Sequence, residues 1–311
     1  MLGLTISLGS CVVACGPTPP PVGTGGSAGA AGVGGTGGSG GSAGGGGGTP
    51  GTPCTGKPGA PGLTSRTIGG RNVLVHIPTR VNPNSPVPLL LVHHGFTMDG
   101  EAMRVLTGYQ AIADREGFAV AFPTGAGNTW NAGGGACGVV GLVTDTGDDL
   151  AFVSTMISSI EAVQCLSREH VFMTGFSMGG YFSNHAGCQS NAIRAIAPHS
   201  GGTYPRSCPG APTPAMIWHG SADFIIPASC GSDARDLWVQ RNGCQTTFDT
   251  VPVQNGTCEW HRGCPPGGQV VLCTMNNMSH QWAGGTGLIG APAYENASEM
   301  IWKFFKDQSG L

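Results

Sequence analysis

The segment 175–180 reads GFSMGG and places Ser177 between two glycines, Gly175 and Gly179. It follows the short, apolar and β-prone run His170 to Thr174, and it opens a stretch with apolar residues near helical spacing. A serine in a sharp strand-to-helix turn exposes its hydroxyl as a nucleophile, and glycines two positions to either side let neighbouring segments pass closely. The pattern therefore predicts a nucleophilic serine at position 177.

A serine hydroxyl is a weak nucleophile and needs a base that is itself oriented by a carboxylate. Asp223 lies in the segment 219–227, directly after the apolar run Ala215 to Trp218. His280 lies in a loop after the run Val270 to Met275. Both positions follow predicted strand ends, where an orienting acid and a base belong. We therefore predict that Ser177, Asp223 and His280 form a catalytic triad for acyl transfer.

Other residues compete for these roles. In the expected chain order, the base follows the acid, which follows the serine. Two further histidines follow predicted strands but precede or adjoin Asp223, so they do not fit the position of the base: His199 and His219. The alternative candidates for the acid all precede Ser177 in the chain: Asp145, Asp148 and Asp149. Of these, Asp148 or Asp149 is better suited to cap the helix that runs toward Gln164.

Acyl transfer also requires N–H donors for the oxyanion that develops on the carbonyl oxygen. Met178, directly after the serine, supplies one by position. The early strand Leu89 to Val92 ends in the sequence HHGFT, so Phe96 or Thr97 could supply the second, and the two histidines either hold this loop or contact substrate. Trp130 and Trp282 are candidates for an aromatic wall that binds a flat or sugar-linked substrate.

Short apolar runs alternate with helix-like runs through most of the chain. The predicted strands are 73–77, 88–93, 119–122, 170–174, 193–198, 215–219 and 270–275, and the predicted helices are 101–116, 148–164, 178–188, 232–242 and 297–306. Helices between strands without polar alternation predict an α/β fold, with a mostly parallel central sheet and helices on both faces. Reactive groups collect at the carboxyl ends of such strands, where Ser177 would stand.

The N-terminal fifth has a different composition. Residues 1–15 form a short apolar segment typical of an export signal, and its end resembles a bacterial lipobox in which Cys15 is lipidated, with Cys11 as the alternative. Residues 16–62 are rich in glycine, serine and proline and predict a disordered linker. Residues 63–311 are left as one catalytic domain. We expect an exported protein, held on the cell envelope by a lipid or secreted.

Twelve cysteines support export, because an oxidising compartment allows the ten beyond Cys15 to pair. Their spacing matches no zinc motif, so we expect structural disulfides, no metal and no cofactor. The net charge is −3, with 14 basic residues and no basic cluster, which argues against nucleic acid as a partner.

Taken together, these motifs resemble the secreted α/β-hydrolase esterases grouped as feruloyl esterases and polyhydroxybutyrate depolymerases. The likeness runs from about Thr67 to Phe305 and rests on segments 148–152, 175–180, 219–227 and 280–282, with 241–244 and 263–264 closer to the feruloyl branch. The proline that usually follows the tryptophan in that family is Ala283 here. The resemblance implies the α/β-hydrolase fold and the same triad.

The implied substrate is a polymeric or polysaccharide-linked ester, with feruloyl or related acyl esters of plant polysaccharide as the first expectation. One alternative keeps the chemistry and takes polyhydroxyalkanoate as the substrate. Another is a tethered surface binding protein that has kept the fold and lost catalysis. The complete order of Ser177, Asp223 and His280 favours an enzyme.

Overall fold

A ten-stranded sheet forms the centre of the protein in a computed structural model, which describes residues 54, 57, 59–132, 137, 148–203, 208–285 and 293–311. The predictions for the signal, for the linker up to residue 53, for Cys15 and for Asp145 lie outside these residues. They therefore stay predictions.

The strands follow the chain as β1 Gly62–Ile68, β2 Arg71–Ile77, β3 Val87–His93, β4 Ala119–Pro123, β5 Leu166–Phe176, β6 Ala195–His199, β7 Ala215–Gly220, β8 Phe248–Val253, β9 Gly256–His261 and β10 Val270–Met275. Their order in the sheet is β1-β2-β4-β3-β5-β6-β7-β10-β9-β8. The central strands are parallel, and in sheet order they are β4, β3, β5, β6, β7 and β10. Antiparallel strands flank them on both sides. This arrangement confirms the predicted α/β fold.

Six α-helices accompany the sheet in the described part of the chain: α1 Gly100–Thr107, α2 Tyr109–Glu116, α3 Asp149–Glu161, α4 Met178–Gln189, α5 Ala228–Asn242 and α6 Ala297–Ser309. The sequence predicted one helix over 101–116, but two are found. Gly108 adopts φ 64°, a left-handed conformation that ends α1, and its N–H donates to the Arg104 carbonyl. Glycine adopts this conformation at little cost, which explains the break.

The core occupies both faces of the sheet. In β3, Leu89 and Leu91 pack with α3, α4 and α5, while Leu90 and Val92 pack with α1, α2 and α6. Successive side chains of a strand point to opposite faces, so a strand covered on both sides has no polar alternation. This explains why the central strands were recognisable as apolar runs.

The edge strands β1 and β8, and β9 next to β8, were missed. β8 is exposed along almost its whole length, and β1 alternates between half-buried and exposed residues. The two edge strands, β1 and β8, are held by antiparallel pairing with a neighbour rather than by burial, so their sequences lack the apolar run that marked the others.

All ten cysteines of the expected disulfide set are paired, as Cys54–Cys165, Cys137–Cys230, Cys188–Cys208, Cys244–Cys264 and Cys258–Cys273. The prediction of structural disulfides is confirmed. No helix within the described ranges is long and apolar enough to span a membrane.

Candidate active site

Ser177 lies in the turn between β5 and α4, in a backbone conformation that non-glycine residues rarely adopt, with φ 54° and ψ −115°. Such a conformation costs on the order of 1–3 kcal/mol and persists only where the surrounding structure enforces it. The flanking glycines leave no room for a side chain. A Cβ on Gly175 would lie 2.4 Å from the Gly179 carbonyl oxygen, and one on Gly179 would lie 2.2 Å from that of His93. The geometry is that of a nucleophile elbow.

Asp223 and His280 are brought into contact at the carboxyl ends of β7 and β10. His280 Nδ1 lies 2.7 Å from Asp223 Oδ2, within hydrogen-bond distance. The other carboxylate oxygen accepts the backbone N–H groups of Ile225 at 3.0 Å and Ile226 at 2.9 Å. Because Oδ1 is fully occupied in this way, Oδ2 is fixed toward the imidazole.

The Asp223 side chain has no exposed surface. Burial by itself raises the pKa of this carboxyl, but the hydrogen bonds from His280 and Ile226, together with the charges of His280 and His219, outweigh it, so the pKa lies below its ordinary value. Asp223 is therefore ionised at neutral pH. An ionised carboxylate at Nδ1 keeps the proton on that nitrogen and leaves Nε2 of His280 free to accept another.

The residue before the serine, Phe176, contacts this pair. The Phe176 ring, one residue before Ser177, packs against the His280 ring with 4.8 Å between centroids. Among the described contacts there is no hydrogen bond between Ser177 Oγ and His280. The structure thus joins the predicted acid to the predicted base, and the residue before the predicted nucleophile contacts that base.

The loop after β3 passes directly beside the serine, as an oxyanion loop must. A Cβ on Gly95 would lie 3.2 Å from Ser177 Cβ. Thr97 N–H donates to the Asn128 carbonyl at 3.0 Å, so this predicted donor is already engaged. No acceptor is found within the described residues for the N–H of Phe96 or of Met178, the first residue of α4. Phe96 and Met178 are therefore the better pair of candidate donors.

His94 anchors this loop from below. Its Nε2 accepts the Gly125 N–H at 2.9 Å, so the ring proton is on Nδ1, which lies 2.7 Å from the Gly95 carbonyl oxygen. Burial lowers the pKa of His94, in agreement with a neutral ring. Of the two roles left open for His94, the structure supports the structural one.

The predicted aromatic wall is not found at either tryptophan. Trp130 is fully buried, donates its indole N–H to the His94 carbonyl at 3.0 Å and stacks on Phe182. Trp282 is also buried, and its indole N–H donates to Ser298 Oγ at 3.0 Å. Both indoles are core residues with satisfied donors, which explains why they cannot line a wall open to substrate.

Exposed aromatic and aliphatic surface lies elsewhere on the same sheet edge. Phe224 is 81% exposed and Ile225 47% exposed directly after Asp223, and Phe96 is 41% exposed in the loop after β3. Phe224 and Ile225 were not predicted from the sequence as site residues. Their signal was a pair of large apolar residues in a loop that follows a candidate catalytic acid.

The competing residues have structural partners. Asp148 accepts the Ala151 N–H and caps α3, and Asp149 forms a buried ion pair with Arg71. His219 Nε2 lies 2.8 Å from the Ile226 carbonyl oxygen and 3.6 Å from Asp223 Oδ2. Within the described ranges, no group of three or more His, Cys, Asp or Glu side chains is arranged to hold a metal ion.

No protein-family model matches the chain. Among curated proteins, feruloyl esterase B of Piromyces equi is 30% identical over 254 residues, which cover 71% of this chain and 44% of that protein. A bifunctional acetylxylan esterase/xylanase of Neocallimastix patriciarum is 34% identical over 161 residues, covering 50% of this chain and 22% of that protein. The chain thus spans less than half the length of these relatives. A probable feruloyl esterase C of Aspergillus niger is 28% identical over 204 residues, covering 63% and 70%.

Solved structures support the fold. An acetyl xylan esterase from Aspergillus awamori superimposes with a TM-score of 0.59 at 15% identity, covering 78% of this chain and 98% of that one. A feruloyl esterase module from Clostridium thermocellum, complexed with sinapinate, gives a TM-score of 0.50 at 15% identity, covering 74% and 85%.

The fold and the elbow at Ser177 define an α/β-hydrolase. The curated relatives named feruloyl esterases, together with this fold, support an esterase family of α/β-hydrolases. Membership of the polyhydroxybutyrate depolymerase branch stays a prediction.

Proposed function

We propose that this protein is a serine carboxylic ester hydrolase that acts on feruloyl or related acyl esters of plant cell-wall polysaccharide. The observation that carries the proposal is the hydrogen-bonded Asp223–His280 pair at 2.7 Å, in contact with Phe176, the residue before a serine held at positive φ. The curated relatives named feruloyl esterases support the choice of substrate.

The proposed reaction has two halves. Ser177 Oγ attacks the ester carbonyl carbon while His280 Nε2 takes the hydroxyl proton, and Asp223 stabilises the imidazolium through Nδ1. The N–H groups of Met178 and Phe96 bind the oxyanion. The C–O bond to the alcohol breaks, His280 protonates the leaving oxygen, and an acyl group remains on Ser177. Water then attacks the acyl carbon while His280 Nε2 takes its proton. The bond between this carbon and Ser177 Oγ breaks, His280 returns the proton to Oγ, and the carboxylic acid is released.

The exposed side chains of Phe96, Phe224 and Ile225 are the proposed apolar contacts for the acyl group or for the polymer. An aromatic acyl group gains more than an acetyl group from such contacts, because it removes more apolar surface from water. This favours a hydroxycinnamoyl ester over an acetyl ester. The relative named as an acetylxylan esterase/xylanase makes acetylated xylan the second candidate substrate.

Methyl ferulate, acetylated xylan and a polyhydroxybutyrate film, assayed side by side, test the substrate. We expect the highest kcat/KM on methyl ferulate. Film clearing without ferulate release would replace this substrate with the polyester. Labelling by a fluorophosphonate, abolished by Ser177→Ala, tests the chemistry. Absence of labelling in the folded parent protein would favour a binding protein instead.

Export is part of the same proposal. Five disulfides are typical of proteins that fold in an oxidising compartment. We further propose lipidation at Cys15. Metabolic labelling with a radioactive fatty acid should mark the parent chain and not Cys15→Ser. Label that is retained in Cys15→Ser and lost in Cys11→Ser would move the anchor to Cys11.

A further inference from the structure

His199 ends β6, between the strand that leads to Ser177 and the strand that leads to Asp223. It pairs with Phe176 of β5 on one side and with Trp218 of β7 on the other, and its side chain has no exposed surface. The reaction proposed above makes no use of this residue. Its contacts nevertheless reach both the nucleophile and the loop that carries the base.

The main chain of His199 holds the elbow. Its carbonyl oxygen accepts the Ser177 N–H at 2.9 Å. A Cβ on Gly180 would lie 2.7 Å from the same oxygen, so the first turn of α4 packs directly on the end of β6. The strained backbone of Ser177 is therefore fixed in part by His199.

The ring of His199 holds the base loop. Ala283, three residues after His280, donates its backbone N–H to His199 Nε2 at 3.0 Å. The neighbouring Trp282 ring stacks on the imidazole with 4.6 Å between centroids and 22° between planes. The loop from His280 to Ala283 thus has a polar and an aromatic attachment to one side chain.

These contacts define one protonation state of the imidazole. A backbone N–H can only donate, so Nε2 must be unprotonated, and the ring proton is on Nδ1, which donates to Ser200 Oγ at 3.1 Å. Burial, and then the charges of His219 and His280, lower the pKa of His199 well below its ordinary value. The neutral ring is the form that the contacts require.

We propose that His199 is a positioning residue for the esterase reaction, which ties the loop carrying His280 to the turn carrying Ser177. This inference rests on the proposed function. The neutral imidazole keeps the base within reach of the serine hydroxyl, and it does so without touching substrate. Proton transfer depends steeply on this distance, since a displacement of about 1 Å can cost about 10²-fold in rate.

Three substitutions separate the two ring nitrogens. The amide of glutamine in His199→Gln places an acceptor as far along the side chain as Nε2, so it can keep the Ala283 bond. The shorter amide in His199→Asn reaches only as far as Nδ1 and keeps the Ser200 bond alone. His199→Leu keeps neither. His76→Gln, which changes a buried histidine on β2, is the matched control.

We expect His199→Leu and His199→Asn to lower kcat on methyl ferulate by about 10²-fold with KM changed less than about threefold, and His199→Gln to recover to within about tenfold of the parent. His76→Gln should keep the parent kcat. Equal kcat values for the Gln and Asn variants, or losses of kcat that follow the melting temperature across all four variants, would overturn the inference.

A second measurement uses the unmodified protein. Nitrogen-15 spectra of the histidine rings should show His199 as the neutral tautomer with its proton on Nδ1 at neutral pH. A ring protonated on Nε2, or on both nitrogens, would overturn the inference even if every variant failed to fold. The two proposals can be told apart. Loss of fluorophosphonate labelling in the parent overturns the esterase function, whereas normal labelling with the wrong tautomer overturns only the role of His199.

Discussion

His280 Nδ1 lies 2.7 Å from Asp223 Oδ2, and the Asp223 side chain has no exposed surface. Two backbone N–H groups hold the second oxygen of Asp223, so the acid cannot rotate away from the imidazole. An orienting acid of this kind acts by selecting the tautomer of the base. The contact therefore makes a specific prediction about the carboxylate.

Asp223→Asn should lower kcat on a small aryl ester on the order of 10³ to 10⁴-fold, because the amide can present its N–H to Nδ1 and stabilise the wrong tautomer of His280. KM should change little. Asp148→Asn, which changes the carboxylate that caps α3, is the control and should keep the parent kcat. Steady-state kinetics on 4-nitrophenyl acetate provide the measurement, and a fall of less than about tenfold in Asp223→Asn would remove the acid from the proposed triad.

The positive φ of Ser177 predicts that the serine needed for activity lowers the stability of the fold. The free energy of unfolding of Ser177→Gly should exceed that of Ser177→Ala by about 1 kcal/mol. Glycine adopts this backbone conformation without a steric penalty from Cβ, whereas alanine keeps that penalty. Both variants lack the hydroxyl, so neither should hydrolyse ester. Urea unfolding of the two variants measures the difference. If alanine were the more stable of the two, the elbow would store no strain.

The fold was largely predictable because its central strands are buried on both faces, as Leu89 to Val92 illustrate. Their burial makes them continuous apolar runs. The break at Gly108 was not predicted, because glycine within a helical pattern can either continue the helix or end it, and the choice depends on tertiary contacts. The edge strands were missed for the opposite reason, since pairing rather than apolar sequence defines them.

The site was predicted in part. The order of Asp223 and His280 after strand ends was enough to find a pair that the fold brings into contact. The prediction of an aromatic wall was wrong because a tryptophan in a loop carries no sequence signal that separates a buried indole from an exposed one. The difference lies in partners distant in sequence, such as the His94 carbonyl for Trp130 and Ser298 for Trp282.

Two substitutions test whether Trp130 is a core residue and Phe224 a substrate contact. Trp130→Phe should lower the free energy of unfolding by about 1–3 kcal/mol, because the His94 carbonyl loses its donor in a buried place. Phe224→Ala should stay within about 0.5 kcal/mol of the parent, since the ring is 81% exposed. KM should respond in the reverse order: we expect Phe224→Ala to raise KM for methyl ferulate more than for methyl acetate. An equal KM change on both esters would exclude Phe224 as an acyl contact.

The pKa values of four buried histidines are lowered, mainly by burial: His93, His94, His199 and His219. The pKa of His93 falls to about 3, and its ring packs against Trp130 and Phe182. Between this value and the ordinary pKa near 6.5, the unfolded chain binds a proton that the folded chain does not. The free energy of unfolding must therefore decrease as the pH falls through this window, by up to about 1.4 kcal/mol per pH unit for each such histidine.

His93→Phe removes one of these proton-binding groups and keeps an aromatic ring at position 93. Its free energy of unfolding should decrease less steeply between about pH 6 and pH 4 than that of the parent, by up to about 1.4 kcal/mol per pH unit, whatever the absolute stability of the variant. Urea unfolding followed by tryptophan fluorescence at several pH values gives both slopes. Parallel slopes would mean that His93 carries the same number of protons in the folded and unfolded chains, and a buried neutral imidazole would then be the wrong description of this position.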